Sequence, residues 1–445
     1  MSLEPLKSMP DGIAWHQAII EADRCLLCYD PPCSRDCPAE TDPGAFIRKL
    51  RLKNVTGAIR TIKTNNIMGG ACGVLCPTDR LCEKACSATD LDRPIQIGKI
   101  QRFLVEHGWE MDFKLFDPPP PDRGRVAIIG GGPAGLSCAA HLAQTGFKAV
   151  IFEKRAEPGG MLRYGIPSFR FAKEFLAREI EDVKQLGVEI QCNSDIDGPS
   201  QAEALLTQGY DAVFISPGLW GPTHLLDHPE NAKGLYTAVD YLENLRDNQT
   251  LQKTQSAVKD KTVVVIGGGS VAMDCVEAAV QLQAADVYLV YRRSYQQMPA
   301  ENDERLEALD AGVHFLVLNQ PVEYHVEDGQ VTGIHLIRTA LGQPDRSGRR
   351  RPVPLEDSEW FLKTDVIIEA IGNQPEKSLP AIYPNVETDA RHLIRVDAET
   401  GQTSVPGIFA GGDIVRGPAL VVNAVQDGKN AAHGIADYLS RKEGD

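Results

Sequence analysis

The chain has 445 residues, which at roughly 100–200 residues per domain predicts about three domains, each able to bury its own core. With 42% hydrophobic and 24% charged residues, and 40 glycines without a G-X-Y period, the composition excludes disorder and collagen-like order. Lys+Arg 46 against Asp+Glu 61 gives a net charge of -15, which repels phosphate backbones and anionic lipid at long range.

The basic run Arg346 to Arg351 reads as a solvated hairpin end, so no nucleic-acid partner is expected. No stretch approaches the roughly 18 apolar residues of a membrane span, and Met1 to Gly12 lacks a basic-then-apolar signal layout. The expectation is a cytoplasmic protein with no membrane partner. Disulfides are disfavoured there, so the 11 Cys need another explanation.

Eight cysteines crowd the first 86 residues in two sets, CLLCYDPPCSRDCP (Cys25, Cys28, Cys33, Cys37) and CGVLCPTDRLCEKAC (Cys72, Cys76, Cys82, Cys86). Pro38 and Pro77 each follow a cysteine directly. Short spacings closed by Cys-Pro mark iron–sulfur ligation, in which one run's last cysteine commonly serves the other cluster. Tetrahedral zinc is the competing reading, but zinc ribbons usually pair C-x2-C knuckles, and only Cys25/Cys28 forms one. Cys138, Cys192 and Cys275 sit in apolar contexts and read as buried small hydrophobes. Between the two sets, Phe46, Ile47, Leu50, Leu52, Ala58 and Ile62 give Asp42 to Asn66 the apolar spacing of packed amphipathic helices.

Four prolines in FDPPPPDRG (Phe116 to Gly124) stop any helix and read as a linker. RVAIIG then predicts a buried strand, and Gly130-Gly131-Gly132-Pro133-Ala134-Gly135 the opening of a helix. A second strand, KAVIFE, ends in Glu153, 23 residues beyond Gly130. That context is a dinucleotide fingerprint. Gly130 makes the tight turn, Gly132 admits a pyrophosphate to the backbone, Gly135 allows close helix packing, and Glu153 binds ribose hydroxyls.

The pattern recurs in KTVVVIG, Gly267-Gly268-Gly269-Ser270-Val271-Ala272 and DVYLVY, followed by Arg292-Arg293 where an acid would suit NAD. Paired guanidiniums suit a 2′-phosphate instead, so NADP(H) is expected in preference to NAD(H). Near the C-terminus, VPGIFAGGDIV and the helical run after Val421 read as a return to the first fold.

Taken together, GGGPAG with Glu153, the run PGGMLRYGIPSFRF (Pro158 to Phe171), the second Gly-rich turn and AGGD resemble the two-dinucleotide flavoprotein family. With the N-terminal cysteines, the likeness narrows to its iron–sulfur branch, which includes the glutamate synthase small subunits and the electron-input half of dihydropyrimidine dehydrogenase. The spacing in CLLCYDPPCSRDCPAETDPGAFIRKL looks most like the bacterial PreT type of that dehydrogenase, and RPIQIGKIQRF (Arg93 to Phe103) resembles its pattern in which a glutamine ligates iron.

The resemblance implies an α/β fold with two Rossmann-like domains, one inserted in the other, after an α-helical iron–sulfur domain. The boundaries expected are 1–120 for two 4Fe-4S clusters, 121–255 with 365–445 for FAD, and 256–364 for NAD(P). By the same resemblance one cluster takes Cys25, Cys28, Cys33 and Cys86, and the other Cys37, Cys76, Cys82 and Gln101, leaving Cys72 spare. FAD contacts fall on Gly130, Gly132, Pro133, Gly135, Glu153, Gly160, Met161, Arg170, Gly412 and Asp413. Nicotinamide-cofactor contacts fall on Gly267, Gly269, Ser270, Val271, Arg292, Arg293, Ala370, Ile371 and Gly372.

No C-x4-C pair follows the first fold, which excludes a disulfide relay, and the 10 His form no acid–base constellation. Nothing in the chain reads as an FMN barrel. The function implied is an electron-input subunit that carries electrons from NAD(P)H through FAD and two clusters to an FMN- and iron–sulfur-containing barrel partner (PreA-like, in a heterotetramer) reducing uracil or thymine. Two alternatives stand beside it: a glutamate synthase small subunit or related NADPH–ferredoxin oxidoreductase subunit, and a redox-sensing scaffold whose clusters only brace the protein.

Overall fold

Continuous Val/Ile runs suit a parallel sheet covered on both faces, and the runs after the proline-rich linker become the inner strands of two such sheets. The computed structural model describes residues 6–226, 232–345 and 348–442. Arg346 of the basic run, and Met1 to Pro5 of the N-terminal segment, lie outside them. The described residues form two compact units, one holding residues through Met9, Tyr164–Arg170 and Pro222–Asn373, the other Pro10–Arg163, Phe171–Gly221 and Gln374 onward. Among the described residues no helix is long and apolar enough to cross a membrane.

In the larger unit the five-stranded parallel sheet runs in the order Ile408–Ala410, Ala212–Ile215, Arg125–Ile129, Lys148–Phe152, Glu189–Gln191. Pro133 opens the helix Pro133–Gln144, where its missing N–H would have had no partner in any case. The helix Val421–Lys442 crosses it so closely that a Cβ on Gly428 would lie 2.2 Å from the Ala134 carbonyl oxygen. The C-terminal segment therefore does return to the first fold.

The cysteine-rich part of this unit is helical. Asp42 caps the helix Pro43–Arg51 by accepting from Ala45 N at 3.2 Å, and Phe46, Ile47 and Leu50 face inward. Asn54 caps Val55–Asn65, which buries Ala58, Ile59 and Ile62. Leu52 departs from the expected apolar face: it is 73% exposed, because the helix ends there and its side chain turns off the packed stripe. Cys138 and Cys275 are fully buried, whereas Cys192 is half-buried at the end of a short strand.

One buried ionic group joins the helical part to the nucleotide fold. Lys63 Nζ lies 2.9 Å from Glu179 and 2.7 Å from Asp182 on the helix Lys173–Gln185. Glu179 also accepts from Gly70 N at 2.7 Å and Ala71 N at 2.8 Å, in the first turn of the helix Gly69–Leu75. Trp109 Nε1 donates to Asp182 at 3.0 Å. Every carboxylate in the group thus has a cation and a further donor, the condition under which buried charge is tolerated.

The smaller unit carries a second parallel sheet in the order Leu235–Thr237, Val366–Glu369, Thr262–Ile266, Asp286–Tyr291, His314–Val317. An antiparallel layer follows, in which the long strand Gln330–Pro344 pairs with Asn319–Glu327, Arg350–Pro354 and Trp360–Lys363. The expected limits of 256–364 are too narrow. Leu235–Thr237 and Val366–Glu369 both belong to this sheet, the latter beside Thr262–Ile266, and a three-residue strand before a polar helical run carries no periodic signal. Tyr164–Arg170 also leaves the first fold for this unit.

Replacing Lys63 by Met should destabilise the protein by about 3–5 kcal/mol, because two carboxylates then stay buried without a counter-charge. Urea unfolding followed by tryptophan fluorescence checks this, and an unchanged midpoint would contradict the role given to the group.

Candidate flavin, nucleotide and iron–sulfur sites

The first Gly-rich turn is built by backbone that approaches backbone. Gly130 has φ +102°, and a Cβ there would sit 2.4 Å from the Ser216 carbonyl oxygen. A Cβ on Gly135 would sit 2.0 Å from the Gly130 oxygen, so helix and strand meet without room for a methyl group. Gly132 faces open space apart from Gly160 Cα, 3.8 Å from where its Cβ would be. Gly159 N donates to Gly131 O at 2.8 Å, which ties the Pro158–Gly160 loop beside the turn and places Gly160 and Met161 there. Pro133 begins the helix, whose free N–H groups and positive dipole end lie at this turn. The result is a backbone cradle that fits a pyrophosphate.

Glu153 is buried, accepting from Gly131 N at 2.8 Å through one oxygen and from Arg155 N at 2.8 Å through the other. Each oxygen keeps a second lone pair for a ribose hydroxyl. Gly412, at φ +80°, donates its N–H to Asp427 at 3.0 Å, and Arg416 binds the same carboxylate. Asp427 carries no motif of its own, and the sequence reading passed over it. Burial pushes the neighbouring Asp413 carboxyl up to about 6; the N–H of Ala419 partly opposes this and Asp427 reinforces it.

Arg170, expected at the flavin, lies in the other unit. Its guanidinium binds Asp274 at 2.9 Å and also Glu304, on the helices Ser270–Gln281 and Asn302–Asp310. Burial raises the Asp274 carboxyl to about 7 despite that partner.

The second turn repeats the first with different chemistry. Gly267 has φ +148°, and its Cβ would meet the Ala370 oxygen at 2.2 Å, so the loop Ala370, Ile371, Gly372 lies against it. Gly269 precedes Ser270 and Val271 at the helix start, and Val271 is 47% exposed.

Strand register corrects the sequence reading of the acid position. Gly130 N binds Phe152 O, and the next residue is Glu153; Gly267 N binds Val290 O, and the next residue is Tyr291. Tyr291, whose hydroxyl donates to Gln297 O at 2.8 Å, therefore stands where the first fold has its acid. Arg292 follows it, exposed and without an ion pair among the described residues. Arg293 is 5% exposed, with Nε donating to Arg350 O at 2.8 Å and a terminal nitrogen 2.9 Å from Asp345.

The cysteines fall into two adjoining groups. Cys25, Cys28, Cys33 and Cys86 line one cavity. Burial, then the thiols of Cys86, Cys25 and Cys28, push Cys33 up to about 12. Cys37, Cys72, Cys76 and Cys82 form the other group. The Cys76 thiol is raised first by its hydrogen bond to Cys72, then by burial and by Cys72, Cys82 and Cys37. Cys82 is raised by burial, Glu83, Cys37 and Cys33, so the two groups feel each other.

Among the described residues no three His, Cys, Asp or Glu side chains converge on a single-ion site. Four thiols lining one cavity fit the thiolate donor set of an iron–sulfur cluster.

Gln101 is buried on the helix Ile97–Glu110, its amide donating to Gly69 O at 2.6 Å. Cys72, which the resemblance leaves spare, accepts from Asn66 Nδ2 at 3.3 Å. Thr41 N points at Cys37 Sγ at 3.4 Å. Such donors to sulfur favour thiolates and tune a cluster, and nothing in the spacing of Thr41 or Asn66 marks them beforehand.

Burial makes the Asp413 carboxyl keep its proton to about pH 6, so its stabilising contribution is complete below about pH 4 and is lost as pH rises through 6. In flavin-free protein, Asp413→Asn should match the wild type near pH 4 and exceed its stability at pH 8 by on the order of 3 kcal/mol. Denaturant midpoints at the two pH values check this; a variant no more stable at pH 8 would contradict it.

Residues 124–428 match the family described as pyridine nucleotide-disulphide oxidoreductase, and residues 3–113 match dihydropyrimidine dehydrogenase domain II, 4Fe-4S cluster. The chain is 36% identical over 441 residues to the glutamate synthase (NADPH) small chain of Escherichia coli K12, covering 95% of this chain and 92% of that one. It is 37% identical over 434 residues to the NAD-dependent dihydropyrimidine dehydrogenase subunit PreT homolog of Salmonella typhi, covering 98% and 97%. Mycobacterium tuberculosis FprA in complex with NADPH shares the fold at a TM-score of 0.60 and 18% identity, covering 73% of this chain and 86% of that one. Fold, turns and thiol groups agree with these matches: the chain belongs to the pyridine nucleotide-disulphide oxidoreductase family, as an FAD- and NAD(P)-dependent oxidoreductase subunit with a 4Fe-4S domain at its N-terminal side.

Proposed function

We propose that this chain is an electron-input subunit that oxidises NADPH and delivers electrons through FAD and two 4Fe-4S clusters to an FMN- and iron–sulfur-containing barrel partner, which reduces uracil or thymine. The observation that carries the reading is the pair of adjoining four-thiol groups in the same compact unit as the first nucleotide fold. When bound, FAD accepts two electrons as hydride and releases them singly, as iron–sulfur clusters require.

The chain's own residues place and insulate these groups. The Gly130–Gly135 turn, Glu153 and the Gly412–Asp413 segment hold the flavin. Cys25, Cys28, Cys33 and Cys86 hold one cluster, and Cys37, Cys76 and Cys82, with Gln101 as fourth ligand, hold the other. The relatives named PreT support the pyrimidine substrate and the barrel partner in a heterotetramer. All eleven cysteines are free of disulfides, which supports a reducing, cytoplasmic setting.

A specific observation favours a second reading at each of two points. The Cys72 thiol against Cys76 makes Cys72 a rival fourth ligand. An exposed Arg292, with Tyr291 in the acid's place, suits the NADPH of the glutamate synthase small chain as well as it suits this proposal.

Purified protein should carry FAD and about eight irons per chain, and Cys33→Ser should lose about half the iron and keep its flavin. Gln101→Ala should shift the potential of one cluster, because ligand type sets potential, while Cys72→Ser should leave it unchanged; the reverse pattern gives the fourth position to Cys72. The isolated chain should reduce dyes with NADPH but not uracil. Co-purification with a glutamate-forming partner, or uracil turnover by the chain alone, would overturn the proposed role.

A further inference from the structure

We propose that Arg48 and Arg51 set the reduction potential of the first cluster site: their guanidiniums hold the Cys25–Cys28 loop by its carbonyls and favour the reduced state of the cluster bound there. This rests on the reading of Cys25, Cys28, Cys33 and Cys86 as cluster ligands. The cysteines supply the bonds to iron, and the two arginines supply fixed positive charge beside one of the two thiol groups.

A single helix, Pro43–Arg51, braces three of the four cysteines. At its N-terminal end Ser34 Oγ donates to Asp42 at 2.7 Å and accepts from Gly44 N at 3.0 Å, so the residue after Cys33 is tied to the helix cap. Gly44 packs so closely there that a Cβ would fall 2.4 Å from Pro31 Cγ. At the other end, Arg48 and Arg51 stand three residues apart and so share one helix face. Arg51 Nη1 donates to Cys25 O at 2.9 Å, and Arg48 Nη2 donates to Cys28 O at 3.2 Å.

The loop between those carbonyls needs such anchors. Leu27 holds φ +53°, a left-handed backbone that a bulky side chain disfavours. Leu26 and Leu27 line the cavity together with the thiols, yet both stay exposed, so burial does not keep the loop down. The two guanidiniums grip it at each end.

A carbonyl oxygen accepts the bond without cancelling the charge. Asp23, 3.5 Å from Arg51 Nε and itself exposed, offsets part of the Arg51 charge, whereas Arg48 has no ion pair among the described residues. Burial, with Cys86 and Cys28, raises the Cys25 thiol, while the Leu27 N–H and the Arg51 charge oppose the rise and so favour the thiolate. The second group has the opposite charge at its edge, since Glu83 follows Cys82 directly and its carboxylate accepts from Gly98 N at 3.1 Å. Reduction adds one electron to the cluster, drawn from NADPH by way of the flavin, and no bond forms or breaks at the thiolates. A cation nearby stabilises that added negative charge, and charge and hydrogen bonds around the ligands set the potential.

Redox titration of the anaerobic holoprotein, following each cluster's electron paramagnetic resonance signal against solution potential, tests the proposal. Arg51→Gln keeps a donor for Cys25 O and drops the charge. It should lower the reduced-to-oxidised ratio of one cluster about tenfold at a fixed potential, which is about 59 mV for a one-electron couple, and leave the other cluster in place. Arg48→Gln should move the same signal in the same direction, and Arg51→Lys, which keeps the charge, should stay near the wild type.

Unshifted midpoints in both glutamine variants would overturn the proposal and spare the cluster reading. An equal shift in Arg51→Lys and Arg51→Gln, or loss of half the iron in both, would also overturn it, because the arginines would then act as a brace alone. A wild type without a 4Fe-4S signal at any potential would overturn the cluster reading itself.

Discussion

The carboxylate of Glu179 ties the cysteine-bearing helices to the first nucleotide fold, a junction that the proposed electron route has to cross. It takes the first two free N–H groups of the helix that carries Cys72 and ends at Cys76, and it pairs with Lys63 from the helix before it. A helix N-terminus presents unpaired donors and a partial positive charge, so a buried anion there fixes both the place and the axis of that helix. Because Glu179 itself stands on a helix of the first nucleotide fold, the thiol groups and the flavin cradle become one body. Its full burial removes the water that would otherwise compete for these bonds and weaken them.

The two nucleotide folds show how one backbone serves two ligands. Both spend glycine where strand, turn and helix meet at distances that exclude a side chain, and both set a helix N-terminus at the Gly-rich turn. They differ at the residue that follows the carbonyl bound by the first glycine of each turn. Glu153 is braced by two backbone N–H groups with lone pairs to spare for hydroxyls, whereas Tyr291 is turned to Gln297 and gives way to the cation Arg292. In the proposed function, an absent anion and an added exposed cation support the reading of a phosphorylated ribose as the ligand.

Legibility in the sequence followed the length of the signal. The glycine turns, the strands RVAIIG and KTVVVIG and the two cysteine sets are local patterns, and their elements appear at those residues. What depends on partners distant in the chain was not legible. The strand Leu235–Thr237 has three residues and no periodicity, so the second unit's true start was hidden. Lys63 and Glu179 lie 116 residues apart, and neither has a local reason to be buried. Arg293 looks like a ligand in the dipeptide and becomes a brace only when the hairpin folds over it. The off-by-one at Tyr291 has the same origin, since register belongs to strand pairing rather than to either strand.

The central claim is that electrons enter this chain as hydride and leave it through iron and sulfur. Anaerobic titration of the purified protein with NADPH, read by flavin absorbance and by electron paramagnetic resonance on the same samples, tests it most directly. The account predicts loss of flavin absorbance together with spectra of reduced 4Fe-4S clusters, the two appearing in the wild type but with one cluster signal missing in Cys33→Ser. Flavin reduction with no cluster signal at any stage of the titration would contradict it.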